Sequence, residues 1–192
     1  MAHTETDLRE FLERSAAPDP PQRVLYPIFN THDDFTFETA LRIAEGVRGE
    51  LLVLDLVTDG ALSATETTPI GRKLLQAHVD DDHTPDAHLI TEETSAPLKT
   101  AIKAAQQRNV QLVVLDEHAP ELFGEGLRGD AADRMRKKTS CDVVTVTSAR
   151  SGSEISSVLV AVAEGKHSGL GVVVGGALAV GSNAVVDLFH VS

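Results

Sequence analysis

Histidine and carboxylate residues cluster behind two apolar runs of this chain. His32, Asp33 and Asp34 come shortly after the run Val24 to Phe29, and Asp116 and His118 come shortly after Leu112 to Leu115. Imidazole and carboxylate groups gathered in one crevice titrate near neutrality and can relay protons. Hydrolysis would also need a positioned nucleophile or a metal, and the sequence carries no serine-centred elbow, Walker loop or cysteine pair. A polar crevice rim is therefore preferred to a catalytic cluster built on His32, Asp116 and His118. A second stretch, His78, Asp80, Asp81, Asp82, His83 and His88, has ligand types that suit zinc, nickel or manganese. It lacks a second matched ligand pair and reads as a solvated loop between the second helix and third strand, so no metal is assigned. Gly124 and Gly126 could cradle an anion, but so short a glycine spacing fits a flexible loop better.

These residues must be positioned by alternating strands and helices. Val- and Leu-rich runs at Val24–Phe29, Leu51–Val57, His88–Thr91, Gln111–Leu115 and Val143–Thr147 predict five short strands. Between them, Phe37, Leu41, Ala44 and Val47 share one face of a helix over 34–47. Leu98, Ile102 and Ala105 stripe a helix over 96–108 with Ser95 as its N-cap, and Gly49 and Asn109 close these two helices. A helix over 130–138 has Asp130 and Asp133 at its start and Arg136, Lys137 and Lys138 at its end, the order the helix dipole favours. The predicted fold class is α/β, a doubly wound five-stranded parallel sheet, whose ligands bind beyond the carboxyl ends of the strands.

The strand–helix–strand pattern of 23–57 recurs at 157–191, 134 residues later and without a gap. Val24, Leu25, Leu54 and Val57 fall on Val158, Leu159, Leu188 and Val191. This predicts one domain followed by the opening βαβ half-repeat of a second. The expected layout is a charged helix and Pro-rich tether over 1–22, a domain over 23–148, a linker over 149–156 and a partial second repeat over 157–192. Gly169 to Gly181 holds five glycines and no charge, which predicts a weak helix that packing must hold. It is shorter than the ~20 residues a membrane span needs. Two strands and a helix cannot build a core, so the half-repeat is expected to extend the first sheet or to exchange with a second copy.

Composition narrows the function. The chain has 192 residues, Asp+Glu 29 against Lys+Arg 17 and a formal net charge of -12, which disfavours nucleic acid and anionic membrane as partners. The acidic excess, with more Arg than Lys, suits a halophilic protein. No signal peptide is read at the start, which predicts a cytoplasmic protein. The single cysteine, Cys141, excludes an internal disulfide and reads as a small buried hydrophobe.

The run Val24-Leu25-Tyr26-Pro27, then Leu112-Val113-Val114-Leu115-Asp116-Glu117-His118-Ala119, Gly129-Asp130-Ala131-Ala132-Asp133-Arg134-Met135 and Cys141-Asp142-Val143-Val144-Thr145-Val146 resemble a universal stress protein domain. The resemblance covers 23–148 and, in part, 157–191. It implies a sheet of the adenine-nucleotide alpha hydrolase-like type, dimers paired through the last strand, and either an ATP-binding or a non-binding member. ATP-binding members carry Gly, two residues, Gly, nine residues, then Gly and Ser or Thr, because bare backbone N–H groups must reach phosphate oxygens. At those positions this chain has Asp116, Ala119, Gly129 and Asp130. The acidic residue that follows the first strand in such members is also missing, since Ile28-Phe29-Asn30 stands there. On this resemblance Phe29, Asn30, Asp116, His118, Ala119, Gly129 and Asp130 mark the nucleotide pocket, with a degenerate phosphate loop.

The resemblance thus implies a non-catalytic, dimerising stress-response or regulatory domain with no cofactor and with a homodimer or another protein as partner. The alternative is a Mg²⁺-dependent sensor of ATP or AMP, in which the metal bridges Asp116 or Asp130 to phosphate. An enzyme working through His32 or His118 ranks third.

Overall fold

The computed structural model describes residues 22–29, 32–57, 70–78, 86–117, 131–147, 154–163 and 168–191. In chain order the elements are β1 (Arg23–Phe29), α1 (Asp34–Gly46), β2 (Glu50–Val57), α2 (Ile70–His78), β3 (Asp86–Glu93), α3 (Pro97–Gln107), β4 (Leu112–Asp116), α4 (Ala131–Lys138), β5 (Asp142–Val146), β6 (Ser157–Ala163), α5 (Ser168–Ser182) and β7 (Val185–Val191). β1 to β5 form one parallel sheet in the order β3-β2-β1-β4-β5. The expected doubly wound α/β sheet is therefore present, and β1 and β4 are neighbours.

Parallel strands need cover on both faces, which explains their near-continuous apolar runs. On one face Leu25, Leu54 and Val113 join Leu98, Ala101 and Ala105 of α3 and Met135 of α4. On the other, Val24, Tyr26, Ile28 and Val53 join Phe37, Leu41 and Ile43 of α1 and Leu74 of α2. Alternation along β1 divides its side chains between the two cores. The β1–β4 ladder is short, pairing only Val24 with Leu112 and Leu25 with Val113. Pro27, two residues on, has no N–H to donate, so β1 parts from β4 towards its carboxyl end.

Three helices end in the same backbone turn. Arg48, Asn109 and Asn183 have φ values of 51°, 50° and 51°. The residue after each donates its N–H back to Ala44, Ala105 and Ala179, respectively. This is the Schellman arrangement, which satisfies the orphaned carbonyls of a helix end. Asn109 takes the expected role. For α1 the left-handed residue is Arg48 instead of Gly49, whose missing Cβ would lie 2.2 Å from the carbonyl oxygen of Gln22. At the start of α3, the N-cap is Ala96, and Thr94 Oγ1 in place of Ser95 accepts the Ala96 N–H at 3.0 Å.

The C-terminal unit does not extend the first sheet. β6 and β7 form a separate two-stranded parallel sheet, and α5 packs on α1 of its own chain. The 134-residue offset holds for β6 but not for β7. Arg23 pairs with Glu50, whereas Ser157 pairs with Val185, so the second strand and its cap lie one residue further on. α5 is half-buried between two neighbours. A Cβ at Gly46 would lie 1.9 Å from the Ala177 carbonyl oxygen, one at Gly181 would lie 2.1 Å from that of Arg42, and one at Gly175 would lie 2.3 Å from Val160 Cγ2. Among the described residues no helix is long and apolar enough to cross a membrane.

Gly46→Val should force the two helices apart and cost about 1–3 kcal/mol. Gly171→Ala, whose Cβ meets only ordinary contact with Val160 at 3.8 Å, should stabilise α5 by about 0.5–1 kcal/mol. Thermal denaturation of both variants checks the pair, and equal effects would refute backbone contact as the reason for Gly46.

Candidate functional site at the carboxyl end of the sheet

β1 and β4 stop pairing after Leu25 and Val113, where the carboxyl-end crevice of such a sheet is expected, and Tyr26 is buried next to this parting. Its ring is buried and meets Phe37 edge-on at a centroid distance of 5.6 Å. Its hydroxyl donates to the Asp33 carbonyl oxygen across a long 3.5 Å. Asp33 caps α1, its Oδ2 accepting the Thr36 N–H at 2.9 Å and the Thr36 hydroxyl at 2.8 Å. Burial chiefly pushes the Tyr26 phenol well above its ordinary value. A backbone hydrogen bond with Asp33 opposes this in part, and the charges of Asp116, Asp33 and Asp34 add to the rise. Three carboxylates from two elements thus act on one buried hydroxyl.

His32 is turned to Asp34, with Nε2 at 3.2 Å from Oδ1. Asp116 ends β4 opposite Val146 of β5. Beside it, the Glu117 N–H donates to the Val146 carbonyl at 3.0 Å, and the Thr147 hydroxyl donates to the Glu117 carboxylate. This double contact clamps β4 to β5 as the two strands leave the sheet. Phe29 is buried in the core on the α3 and α4 side of the sheet. Asn30, His118, Ala119, Gly129 and Asp130 lie outside the described residues, as do Gly124 and Gly126.

The His-Asp stretch is divided. His78 ends α2, and His88 lies on β3 with Nε2 3.3 Å from Asp86 Oδ1. Asp80, Asp81, Asp82 and His83 are outside the described residues, and within those residues no group of three or more His, Cys, Asp or Glu is placed to hold a metal. Cys141 is buried near the Thr139 hydroxyl, 2.9 Å from its Sγ, and burial raises its pKa.

Sequence reasoning missed Asp55. It stands inside an apolar strand, is 3% exposed, and accepts the Gly71 N–H at 2.9 Å, anchoring the start of α2 to the end of β2. A Cβ at Gly71 would lie 2.5 Å from Leu89 Cδ1, so any larger residue there would have to displace the end of that leucine. The available signal was a lone carboxylate in an otherwise apolar run, which must find a donor to be buried.

Tyr26 is the one tyrosine and the chain has no tryptophan, so its ionisation is directly visible in ultraviolet absorbance. The unfolded phenol ionises near pH 10 while the folded one stays protonated to higher pH. The stability it contributes is complete below pH 10 and is lost above, as the unfolded state sheds a proton that the folded state keeps. The slope of that loss is at most about 1.4 kcal/mol per pH unit. Tyrosinate absorbance should therefore rise together with unfolding, and Tyr26→Phe should flatten stability above pH 10. A smooth titration of the folded protein at its ordinary pH would refute the burial.

No protein-family model matches this chain, and no curated protein matches it in sequence. Among solved structures it is similar to universal stress protein UspA from Lactobacillus plantarum, with 20% identity, 66% of this chain and 97% of that chain covered, and a TM-score of 0.46. It is also similar to a universal stress protein in complex with cAMP, with 15% identity, 66% and 96% covered, and a TM-score of 0.50. A third similar structure is the hypothetical protein PH0823, with 20% identity, 65% and 93% covered, and a TM-score of 0.35. The likeness to the cAMP complex, together with the strand order β3-β2-β1-β4-β5, gives this chain the universal stress protein fold.

Proposed function

We propose that this chain is a cytoplasmic universal stress protein-like regulatory domain that dimerises, acts without catalysis and does not take ATP in its crevice. The observation that carries the reading is the gathering of Asp33, Asp34 and Asp116 around Tyr26 at the parting of β1 and β4. A polyphosphate there meets like charge, at about 1 kcal/mol per pair at ~4 Å in water and several-fold more where water is partly excluded. The net charge of -12 adds long-range repulsion of anions and argues against nucleic acid.

Dimerisation is supported by the contrast between the two sheet edges. β3 carries Asp86, Glu92 and Glu93, charges that blunt an open edge. β5 reads Asp-Val-Val-Thr-Val, with a single charge, and in this reading its outer side takes the partner strand. A second reading, a nucleotide sensor, rests on the similar structure in complex with cAMP. A cyclic monophosphate carries less charge than ATP and meets less of this repulsion.

The test is a thermal-shift titration with ATP, ADP, AMP and cAMP, with and without Mg²⁺, in low salt and in molar KCl, alongside light scattering over a dilution series. The expected result is no shift with ATP and a dimer mass that falls on dilution. A shift growing as RT ln(1 + [L]/Kd) with ATP would overturn the reading, and one with cAMP alone would favour the sensor.

A further inference from the structure

A second cleft lies at the opposite end of the sheet, between α1 and α5, with a volume of about 360 Å³. It is lined by Gln22, Arg23 and Val24 of the β1 start, Ile43 and Val47 of the α1 end, Gln111, Leu112 and Asp142 at the starts of β4 and β5, and Leu170, Val173 and Val174 of α5. Its origin is geometric. α1 and α5 run antiparallel, with Gly46 against Ala177 and Arg42 against Gly181. Gly46 is the last residue of α1, so the part of α5 before Ala177 projects beyond it. That projecting part hangs three apolar side chains over the amino ends of β1, β4 and β5.

The chemistry of the lining selects the occupant. Seven of the eleven lining residues are apolar. The polar ones are largely satisfied by one another. The Arg23 N–H donates to Gln111 Oε1 at 2.7 Å, and Gln111 Nε2 donates to the Asn109 carbonyl. Arg23 Nε bonds Glu50 Oε2 at 2.8 Å, and its Nη1 bonds the Arg108 carbonyl at 2.9 Å. The guanidinium charge is thus already matched, and among the described residues no other cation lines the cleft to receive an anionic head. The Asp142 carboxylate is exposed and is the acceptor left to meet a donor on a bound molecule. A volume of a few hundred Å³ with a mainly apolar lining and a few polar groups matches small-ligand sites.

We infer that this cleft binds a small, uncharged, mainly apolar molecule with a single hydrogen-bond donor, of the class of a neutral aromatic heterocycle. The site is separate from the acidic crevice by the length of the sheet, so it stands whether or not that crevice takes a nucleotide.

The test is a methyl NMR titration of the full chain with indole, a flat apolar molecule with one N–H. The expected result is saturable shifts, largest at Ile43, Val47, Leu170, Val173 and Val174. Val173→Trp, which fills the cleft, should abolish them. Leu170→Ser, in the first turn of α5, should weaken binding several-fold with the fold kept, and Phe189→Ser should change nothing. Absence of saturable shifts would overturn the inference. So would shifts centred on Leu159 and Val185 that Phe189→Ser removes, which would place indole on the outer face of β6 and β7. A wild type that ignores indole while Phe11→Ala both perturbs the cleft methyls and admits indole would show that the chain's own leading segment fills the cleft, and this too would overturn it.

Discussion

The close approach of two helix backbones, at Gly46 against Ala177 and Gly181 against Arg42, is the contact on which the C-terminal third of the chain depends. A two-stranded sheet is marginal in water by itself. β6 and β7 have one face turned to α5, through Val158 and Val160, and the other bare, with Leu159, Val185 and Phe189 exposed. Their stability must be borrowed from the main core through α5. Five glycines make α5 a poor helix in isolation, costing roughly 0.5–1 kcal/mol each relative to alanine. Three of them, Gly175, Gly181 and, less closely, Gly171, stand where α5 meets the new sheet or α1, and Gly46 answers from the other helix. Helix propensity is given up where it permits close packing.

At the other end of the domain, the anion-binding capacity of a helix start has been used internally. The first turn of α1 would ordinarily offer free N–H groups and partial positive charge to a phosphate. Asp33 already occupies that position, taking the Thr36 N–H and hydroxyl with a single carboxylate oxygen. A phosphate would have to displace a covalently tethered competitor of the same charge. Pro27 ends the β1–β4 ladder early, and next to it Tyr26 is buried with a phenol that stays protonated.

The strands and the order of elements were legible in the sequence because parallel strands buried on both faces write themselves as apolar runs, and their turns as Gly, Asn and Pro. What escaped depended on partners distant in sequence. Ser95 reads as the cap of α3 on paper, whereas the N-cap is Ala96, which has no side-chain acceptor to offer and gives its own N–H to Thr94 Oγ1. Gly49 looked like the left-handed cap of α1, whereas its glycine is demanded by Gln22 across the sheet and Arg48 takes the strained conformation. The gapless repeat hid a one-residue shift because Leu51–Leu54 and Val185–Leu188 are apolar enough to align either way, and only the pairing of Ser157 with Val185 exposes it. Of the pocket residues that the resemblance implied, Phe29 lies in the core, Asp116 ends β4 and the others lie outside the described residues. The cleft under α5 had no sequence signature, since it is made by the offset of two crossing helices and not by any motif.

Polarity is divided along this chain in a way that separates hydration from association. Among the described residues, the exposed large hydrophobics are Leu159, Val180, Val185, Leu188 and Phe189, all within β6, α5 and β7. The acidic residues at the crevice and along β3 belong to the five-stranded domain. A net charge of -12 keeps such a body dispersed, yet repulsion between like-charged copies weakens as salt shortens the Debye length from ≈ 10 Å at 0.1 M to 3 Å at 1 M. Apolar contact does not weaken in the same way, and excluded salts strengthen it. Rising salt therefore shifts the balance towards contacts made by the exposed apolar side chains of β6, α5 and β7, while the carboxylates near Tyr26 lose the field that repels anions. Both properties follow from where the sequence places its carboxylates relative to its bare apolar side chains.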